Sequence, residues 1–200
     1  VGDNVEIEIL DEGNRIGNII NIYDRENELI RPAVSNISQA LVVFAIANPM
    51  PNLNLLDRFL VMMERNEIDT IICFNKIDLV DEEEILKLRD IYVKAGYHVM
   101  FTSTKENMGI EEVLRVIDGK TTAFAGPSGV GKSSLLNALI PEANSQTGEI
   151  SEKIKRGKHT TRHTEIFNVS DDTYLMDTPG FSSLYVNDFE KEELKNYFRE

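Results

Sequence analysis

The stretch Gly126-Pro127-Ser128-Gly129-Val130-Gly131-Lys132-Ser133 fits the phosphate-binding pattern G-x-x-x-x-G-K-[ST] at every fixed position. Its glycines allow backbone N–H groups to curl around a triphosphate. Lys132 can then reach the β- and γ-phosphates, and the hydroxyl of Ser133 can bind Mg²⁺. The apolar run 121–125 predicts a strand before this loop, and Ser134 opens a predicted helix over 134–139, whose N-terminus favours anions.

A second motif, Asn75-Lys76-Ile77-Asp78, follows the apolar run 70–74, which is typical of a buried parallel strand. A carboxylate at Asp78 can accept both donors on the N1/N2 edge of guanine, whereas adenine would leave that carboxylate unpaired. Asn75 can hydrogen-bond the other edge of the base, and the stem of Lys76 can cover the ring. The pattern indicates a guanine site, and the alternative is a surface Lys–Asp pair after a strand.

Two further motifs follow predicted strands. In Phe101-Thr102-Ser103-Thr104-Lys105, the small residues Ser103 and Thr104 can bring backbone N–H groups against a guanine carbonyl. In Asp177-Thr178-Pro179-Gly180, Asp177 can hold Mg²⁺ through water and the N–H of Gly180 can meet the γ-phosphate. Since all four motifs suit one nucleotide and each ends a predicted strand, their agreement favours a shared site.

The order of these motifs is permuted. In Ras-like G domains the phosphate loop comes first, D-x-x-G second and N-K-x-D third, whereas here N-K-x-D and T-S-T-K come first and D-x-x-G comes last. A sheet depends on which strands are neighbours, so relocated termini need not disrupt the site. The segment after Gly180 then leads directly out of the γ-phosphate sensor.

This order, together with Gly157-Lys158-His159-Thr160-Thr161 and Asn27-Glu28-Leu29-Ile30-Arg31-Pro32, resembles the circularly permuted GTPases of the RsgA (YjeQ) family over about residues 1–190. The resemblance implies an OB-fold before the G domain and a zinc-binding domain after it. It also implies a GTPase that is stimulated by the small (30S) ribosomal subunit and acts late in that subunit's maturation, with 16S rRNA as a partner.

We therefore expect an α/β fold: a circularly permuted Ras-like P-loop G domain, with a mainly parallel sheet and helices on both faces, preceded by part of a β-rich OB-fold. The boundaries are 1–38 for the partial OB-fold and linker, 39–185 for the G domain, and 186–200 for the start of a truncated C-terminal helical or zinc domain. Residues 52–66 and 81–95 predict amphipathic helices, and 190–200 predict the beginning of another.

The composition is that of a soluble globular protein, with 42% hydrophobic and 28% charged residues. No apolar run approaches the ~20 residues that span a bilayer, so we expect no membrane contact. We also expect a monomer, and a single cysteine suits a reducing cytoplasm. One cysteine, Cys73, excludes an intrachain disulfide. No Cys/His cluster exists, so no zinc site is predicted in this chain, and a family zinc site would lie beyond Glu200. The start at Val1, without Met, favours a fragment.

The net charge of −13 argues against a generally basic nucleic-acid-binding protein. Residues 153–163, however, contain five Lys or Arg and two His without any acidic residue. Such a run is usually a solvated loop. This basic run lies where switch I must be. The competing interpretation is therefore that it contacts rRNA phosphates, and that the contact depends on the bound nucleotide.

Three candidate catalytic residues follow: Lys132 to neutralise phosphate charge, a switch I threonine to bind Mg²⁺ beside Ser133 and Asp177, and a group that positions water. Thr160 and Thr161 both qualify as that threonine, and Thr161 is favoured. Ras-like enzymes place a glutamine after D-x-x-G, but Phe181 stands there and can neither donate nor accept a hydrogen bond. His159 is therefore the candidate water-positioning residue, unless it contacts RNA or packs in the loop.

Two other classes of function fit these residues. One is a nucleotide-switched binding module with negligible hydrolysis, which Phe181 favours. The other is a P-loop ATPase or kinase in which N-K-I-D has arisen by chance. Nucleotide competition and phosphate release distinguish them from a GTPase.

Overall fold

Two antiparallel strand pairs begin the structure, a computed structural model that describes residues 1–30, 33–140, 164–180 and 193–199. Strands β1 (Val5–Asp11) and β2 (Ile16–Ile22) form a hairpin, and β3 (Glu28–Leu29) and β4 (Val34–Ser35) form a short pair. The hairpin agrees with the β-rich character predicted for this segment, and its register pairs Val5 with Ile22 and Ile7 with Ile19. Its apolar residues are exposed.

A six-stranded sheet follows. Its strands are β5 (Gln39–Ala45), β6 (Asp69–Asn75), β7 (His98–Thr102), β8 (Thr121–Ala125), β9 (Glu165–Ser170) and β10 (Thr173–Asp177). Across the sheet they lie in the order β7-β6-β5-β8-β10-β9, and every neighbouring pair is parallel except β10 with the edge strand β9. The mainly parallel sheet that the sequence predicts is confirmed.

Helices cover both faces of this sheet: α1 (Leu53–Arg65), α2 (Glu82–Lys94), α3 (Ile110–Ile117) and α4 (Lys132–Leu139). Every residue of β5 is buried, and its side chains alternate between two cores. Val42 and Phe44 pack in the core that includes α1 and α2, whereas Leu41 and Val43 pack in the core that includes α3 and α4. Burial on both faces explains why this strand is a continuous apolar run.

The two predicted amphipathic helices begin one residue later than expected, because the residue before each helix is its cap. The side chain of Asn52 accepts a hydrogen bond from the N–H of Leu55 at 3.1 Å, and that of Asp81 accepts one from Glu84 at 3.1 Å. Both satisfy a backbone donor that has no partner within the first helical turn. None of the helices in the described ranges is long and apolar enough to cross a bilayer.

The prediction of a helix over 190–200 is wrong for the part of it that the structure describes. Residues 193–199 contain a single 3₁₀ turn, Leu194–Tyr197, and Phe198 is extended. Tertiary contacts of Arg199 explain this, since its Nε lies 2.6 Å from Glu64 Oε1 and its guanidinium stacks on Tyr97 at 4.5 Å from the ring centroid. Such contacts override local helix propensity.

Candidate functional site

The phosphate-binding pattern forms the loop between β8 and α4. Gly126 has a φ of +145°, and a Cβ there would lie 2.1 Å from the carbonyl oxygen of Val43. Gly131 has a φ of +95°, and a Cβ there would lie 2.3 Å from Asn75 Nδ2. Only glycine fits at these two points, where the loop passes against β5 and β6. The predicted loop therefore has the backbone conformation and the close packing that its glycines indicate.

Lys132, the first residue of α4, lies inside this loop and is only 8% exposed. Its ammonium donates to the carbonyl oxygens of Gly126 at 2.9 Å and Pro127 at 2.8 Å. Burial lowers the pKa of Lys132 to about 8, although the nearby carboxylate of Asp177 acts in the opposite direction. A buried cation whose charge is incompletely compensated fits a site for an anion such as a phosphate group.

The D-x-x-G motif lies against the same loop. Asp177 ends β10 opposite Phe124 of β8, and its side chain is buried. Gly180 approaches the loop so closely that a Cβ there would lie 3.1 Å from Lys132 Nζ and 3.1 Å from the backbone nitrogen of Ser128. The half-buried Ser133 follows Lys132 in the first turn of α4. Asp177 thus lies near enough for its charge to act on Lys132, the residue before Ser133, and the carboxylate and hydroxyl oxygens predicted for Mg²⁺ are donors that suit that ion.

Asn75 is completely buried at the end of β6 and joins three of the motifs. Its Nδ2 donates to the carbonyl oxygen of Val130 at 3.0 Å, and its Oδ1 accepts from Thr102 Oγ1 at 3.1 Å and from the N–H of Thr104 at 3.4 Å. Of the side-chain amide, the second hydrogen of Nδ2 remains for the predicted contact with the base. The amide therefore holds the guanine motifs against the phosphate loop in addition to any contact with a ligand.

Lys76 crosses from the N-K-x-D motif to the phosphate loop. Its backbone is left-handed, with a φ of 68°, and its ammonium donates to the carbonyl oxygens of Asn48 and of Gly129, the latter at 2.8 Å. Asn48 belongs to the connection between β5 and α1. The side chain is thus stretched over the loop, an arrangement that the proposed cover for a base ring requires.

Asp78 and Ser103 form the other half of the predicted guanine site. Ser103 Oγ donates to Asp78 Oδ1 at 2.6 Å, and Lys105 Nζ lies 3.7 Å from Asp78 Oδ2. The hydrogen bond from Ser103, followed by the charge of Lys105, lowers the pKa of Asp78, so the carboxylate is ionised and ready to accept from a donor pair. Both backbone N–H groups predicted to meet a guanine carbonyl have partners within the protein, since that of Ser103 donates to the carbonyl oxygen of Met108 at 3.0 Å and that of Thr104 makes the longer bond to Asn75 at 3.4 Å.

The described residues do not include every predicted site residue. His159, Thr160 and Thr161, the basic run 153–163 and Phe181 all lie outside them. Within the described ranges, no cluster of three or more His, Cys, Asp and Glu side chains forms a metal site. Two buried residues for which the sequence predicts no role also make side-chain hydrogen bonds: Thr102 donates to Asn75 of the N-K-x-D motif, and Thr178 donates to Phe124 of β8, the strand that leads into the phosphate loop. The sequence signal that could have identified both residues is their position beside a motif at the end of a predicted strand.

Comparisons with known proteins agree with this geometry. The model of the family described as RsgA GTPase matches residues 22–187. The small ribosomal subunit biogenesis GTPase RsgA of Agathobacter rectalis is 59% identical over 194 residues, which cover 97% of this chain and 64% of that protein. The protein of the same name from Alkaliphilus metalliredigens is 52% identical over 198 residues, which cover 99% of this chain and 68% of the relative. The chain thus spans about two thirds of the length of these relatives.

Solved structures share the fold. YjeQ from Thermotoga maritima superposes with a TM-score of 0.78 at 38% identity, over 100% of this chain and 67% of that one. YloQ, described as a circularly permuted GTPase, gives a TM-score of 0.75 at 37% identity, over 100% of this chain and 63% of its own. The predicted permuted G-domain fold is therefore confirmed. On the family match and these identities, the chain belongs to the RsgA GTPase family.

Proposed function

We propose that this chain binds GTP and hydrolyses it to GDP and phosphate. The observation that carries the proposal is that a buried lysine in a glycine-lined loop and the ionised aspartate of the N-K-x-D motif lie at the carboxyl edge of the same parallel sheet. A crevice at this edge is where open α/β sheets bind nucleotides. Asn75 supports the proposal, because its amide bonds both Val130 of the phosphate loop and Thr104 of the T-S-T-K segment and so links the proposed phosphate and base sites.

The proposed roles follow the chemistry of each group. The backbone of residues 126–134 and the ammonium of Lys132 hold the phosphates, and Gly180 meets the terminal one. Ser133, Asp177 and Thr161 would hold Mg²⁺, which when bound neutralises charge on the β- and γ-phosphates. Asn75, Lys76, Asp78, Ser103 and Thr104 form the base site. His159 holds the attacking water, since Phe181 has no polar group to do so.

The proposed partner is the small (30S) ribosomal subunit with its 16S rRNA, because the named relatives are small ribosomal subunit biogenesis GTPases. The basic run 153–163 is the proposed RNA contact, because its charge is positive in a chain whose net charge is −13. In this proposal residues 1–38 are part of an OB-fold with a linker, 39–185 are the G domain, and 186–200 lead toward a zinc-binding domain. The protein would act as a cytoplasmic monomer.

Phosphate release tests the proposal directly. We expect slow release from GTP, on the order of 10⁻⁴–10⁻² s⁻¹ without a partner, none from ATP, and an increase of orders of magnitude with purified small subunits. His159→Ala should remove most of that increase while GTP affinity stays within about twofold, because histidine would touch the water and not the ground-state nucleotide. Equal release from ATP would instead favour the ATPase alternative, and GTP binding without release, with or without subunits, would favour the switched binding module.

The affinity for nucleotide should depend on pH through Lys132. Its pKa of about 8 in the free protein rises when phosphates bind, because the anion stabilises the ammonium. The affinity therefore has its full value well below pH 8. It falls as the pH rises above 8, and the loss approaches about tenfold per pH unit. Titration of a fluorescent GDP between pH 6.5 and 9 measures this. The same titration on Lys132→Ala measures the pH dependence that comes from titration of the nucleotide itself. Parallel curves for Lys132→Ala and the unsubstituted chain would contradict the prediction.

A further inference from the structure

Thr178 lies at the point where the phosphate loop and the D-x-x-G segment separate. The last paired residues of β10 and β8 are Asp177 and Phe124. Thr178 is the next residue, is completely buried, and donates its hydroxyl to the carbonyl oxygen of Phe124. Its side chain thus adds one more hydrogen bond directly beyond the parallel ladder, between the strand that enters the phosphate loop and the first residue after β10.

The D-x-x-G turn is held from its other end as well. Gly180 lies against Lys132 and Ser128, close enough that a Cβ would be 3.1 Å from each of their nitrogens. Only Pro179 separates this contact from Thr178, and a residue before proline is restricted to extended conformations. The hydroxyl of Thr178 and the close approach of Gly180 therefore define the height of the turn above the phosphate loop.

We propose, resting on the GTP-binding function above, that Thr178 is a positioning residue of the nucleotide site. Its hydroxyl sets the distance between the D-x-x-G turn and the phosphate loop, and with it the positions of Asp177 and Gly180 relative to Lys132. Mg²⁺ requires near-ideal octahedral geometry, so a small displacement of Asp177 weakens the metal-dependent part of nucleotide binding first. The metal-independent part, which depends on the loop and the base site, remains.

The strand offers a matched control at its opposite end. Thr173 is also buried, at 2% exposure, and its hydroxyl accepts a hydrogen bond from the N–H of Gly119 at 2.9 Å. Thr173 and Thr178 therefore bracket β10 with equivalent side-chain bonds, but Thr173 stands at the amino end of the strand, away from the phosphate loop. Loss of the Thr178 hydroxyl leaves an acceptor without its donor, and loss of the Thr173 hydroxyl leaves a donor without its acceptor. Of the two residues, only Thr178 adjoins the proposed site.

The experiment measures release of fluorescent GDP from the full chain as a function of Mg²⁺ concentration. Thr178→Val should raise the Mg²⁺ concentration needed to slow release by about tenfold, the equivalent of one hydrogen bond. Release in excess EDTA should stay within about twofold of the unsubstituted chain. Thr178→Ser, which keeps the hydroxyl, should restore the Mg²⁺ dependence, and Thr173→Val should keep it while lowering the melting temperature. For GTP turnover, kcat should fall more than KM rises in Thr178→Val.

Two results would overturn the proposal: an unchanged Mg²⁺ dependence in Thr178→Val, or the same shift in Thr173→Val, which would reduce the effect to general destabilisation. If Thr178→Val fails to fold, the smaller Thr178→Ala takes its place with the same criteria. Failure of the unsubstituted chain to bind GDP at all would instead overturn the GTP-binding function together with this role, so the two failures are separable.

Discussion

Lys132→Met should weaken nucleotide binding by about 10²–10³-fold without lowering the stability of the free protein. The ammonium is buried within the phosphate loop, where it donates to two of the loop's carbonyl oxygens. Loss of its charged hydrogen bonds to two phosphates removes roughly 3–4 kcal/mol, which is a 10²–10³-fold loss of affinity. The free protein behaves oppositely, because burial has lowered the pKa of Lys132 to about 8 and the charge is therefore unfavourable in the fold.

The sign of the stability effect follows from that shift. A lysine whose pKa is lower in the folded state than in the unfolded state destabilises the fold wherever it is protonated, including pH 7. Methionine has similar length without the charge, so the melting temperature without nucleotide should stay equal or rise.

Lys120→Met is the matched control, since the exposed Lys120 flanks the other end of β8 and bonds Gln39 at 3.0 Å. Its nucleotide affinity should not change. GDP affinity within threefold of the unsubstituted chain in Lys132→Met would show that the loop is not a phosphate site.

Much of the site could be predicted because its residues lie next to strong local patterns. The apolar runs that became β6 and β8 each end at a motif, and parallel strands bring their carboxyl ends to one edge. The β5 run was equally visible, since burial on both faces leaves no polar residue in its interior. Periodicity and strand direction thus predict both the fold class and the gathering of these motifs at one edge of the sheet, where the nucleotide site is proposed.

Other features depended on contacts that no local pattern encodes. The eight-residue helix α3 begins at Ile110, directly after Gly109, which has a φ of 72° and offers no side-chain cap, so the start of the helix carries no capping pattern. The N–H of Ser103 is used by Met108 in an isolated bridge, which the spacing of T-S-T-K does not reveal. Arg199 fixes the last segment through partners more than 100 residues earlier in the chain. In each case a tertiary contact decides what the sequence leaves open.

Asp78→Asn should exchange the preference for guanine for a preference for xanthine. The carboxylate of Asp78 would accept both donors of the guanine N1/N2 edge, and loss of that pair costs roughly 3–5 kcal/mol, or 10²–10⁴-fold in affinity for GDP. Xanthine carries a carbonyl where guanine carries the amino group, so it needs a donor at that point. Ser103, 2.6 Å from Asp78 Oδ1, remains a donor and favours the amide oxygen. The amide nitrogen then faces the base, in the orientation that xanthine requires.

Competition between GDP and XDP for a fluorescent guanine nucleotide measures the exchange, and XDP should bind more tightly than GDP by at least about tenfold. Asp81→Asn is the matched control. It makes the same chemical change three residues later, at the cap of α2, where asparagine caps as well as aspartate and the base preference should not change. Adding Ser103→Ala to Asp78→Asn should reduce the gain for XDP, because the amide is then free to turn its oxygen toward the base. Continued preference for GDP in Asp78→Asn would show that Asp78 does not read the purine, and the assignment of this site to guanine would be wrong.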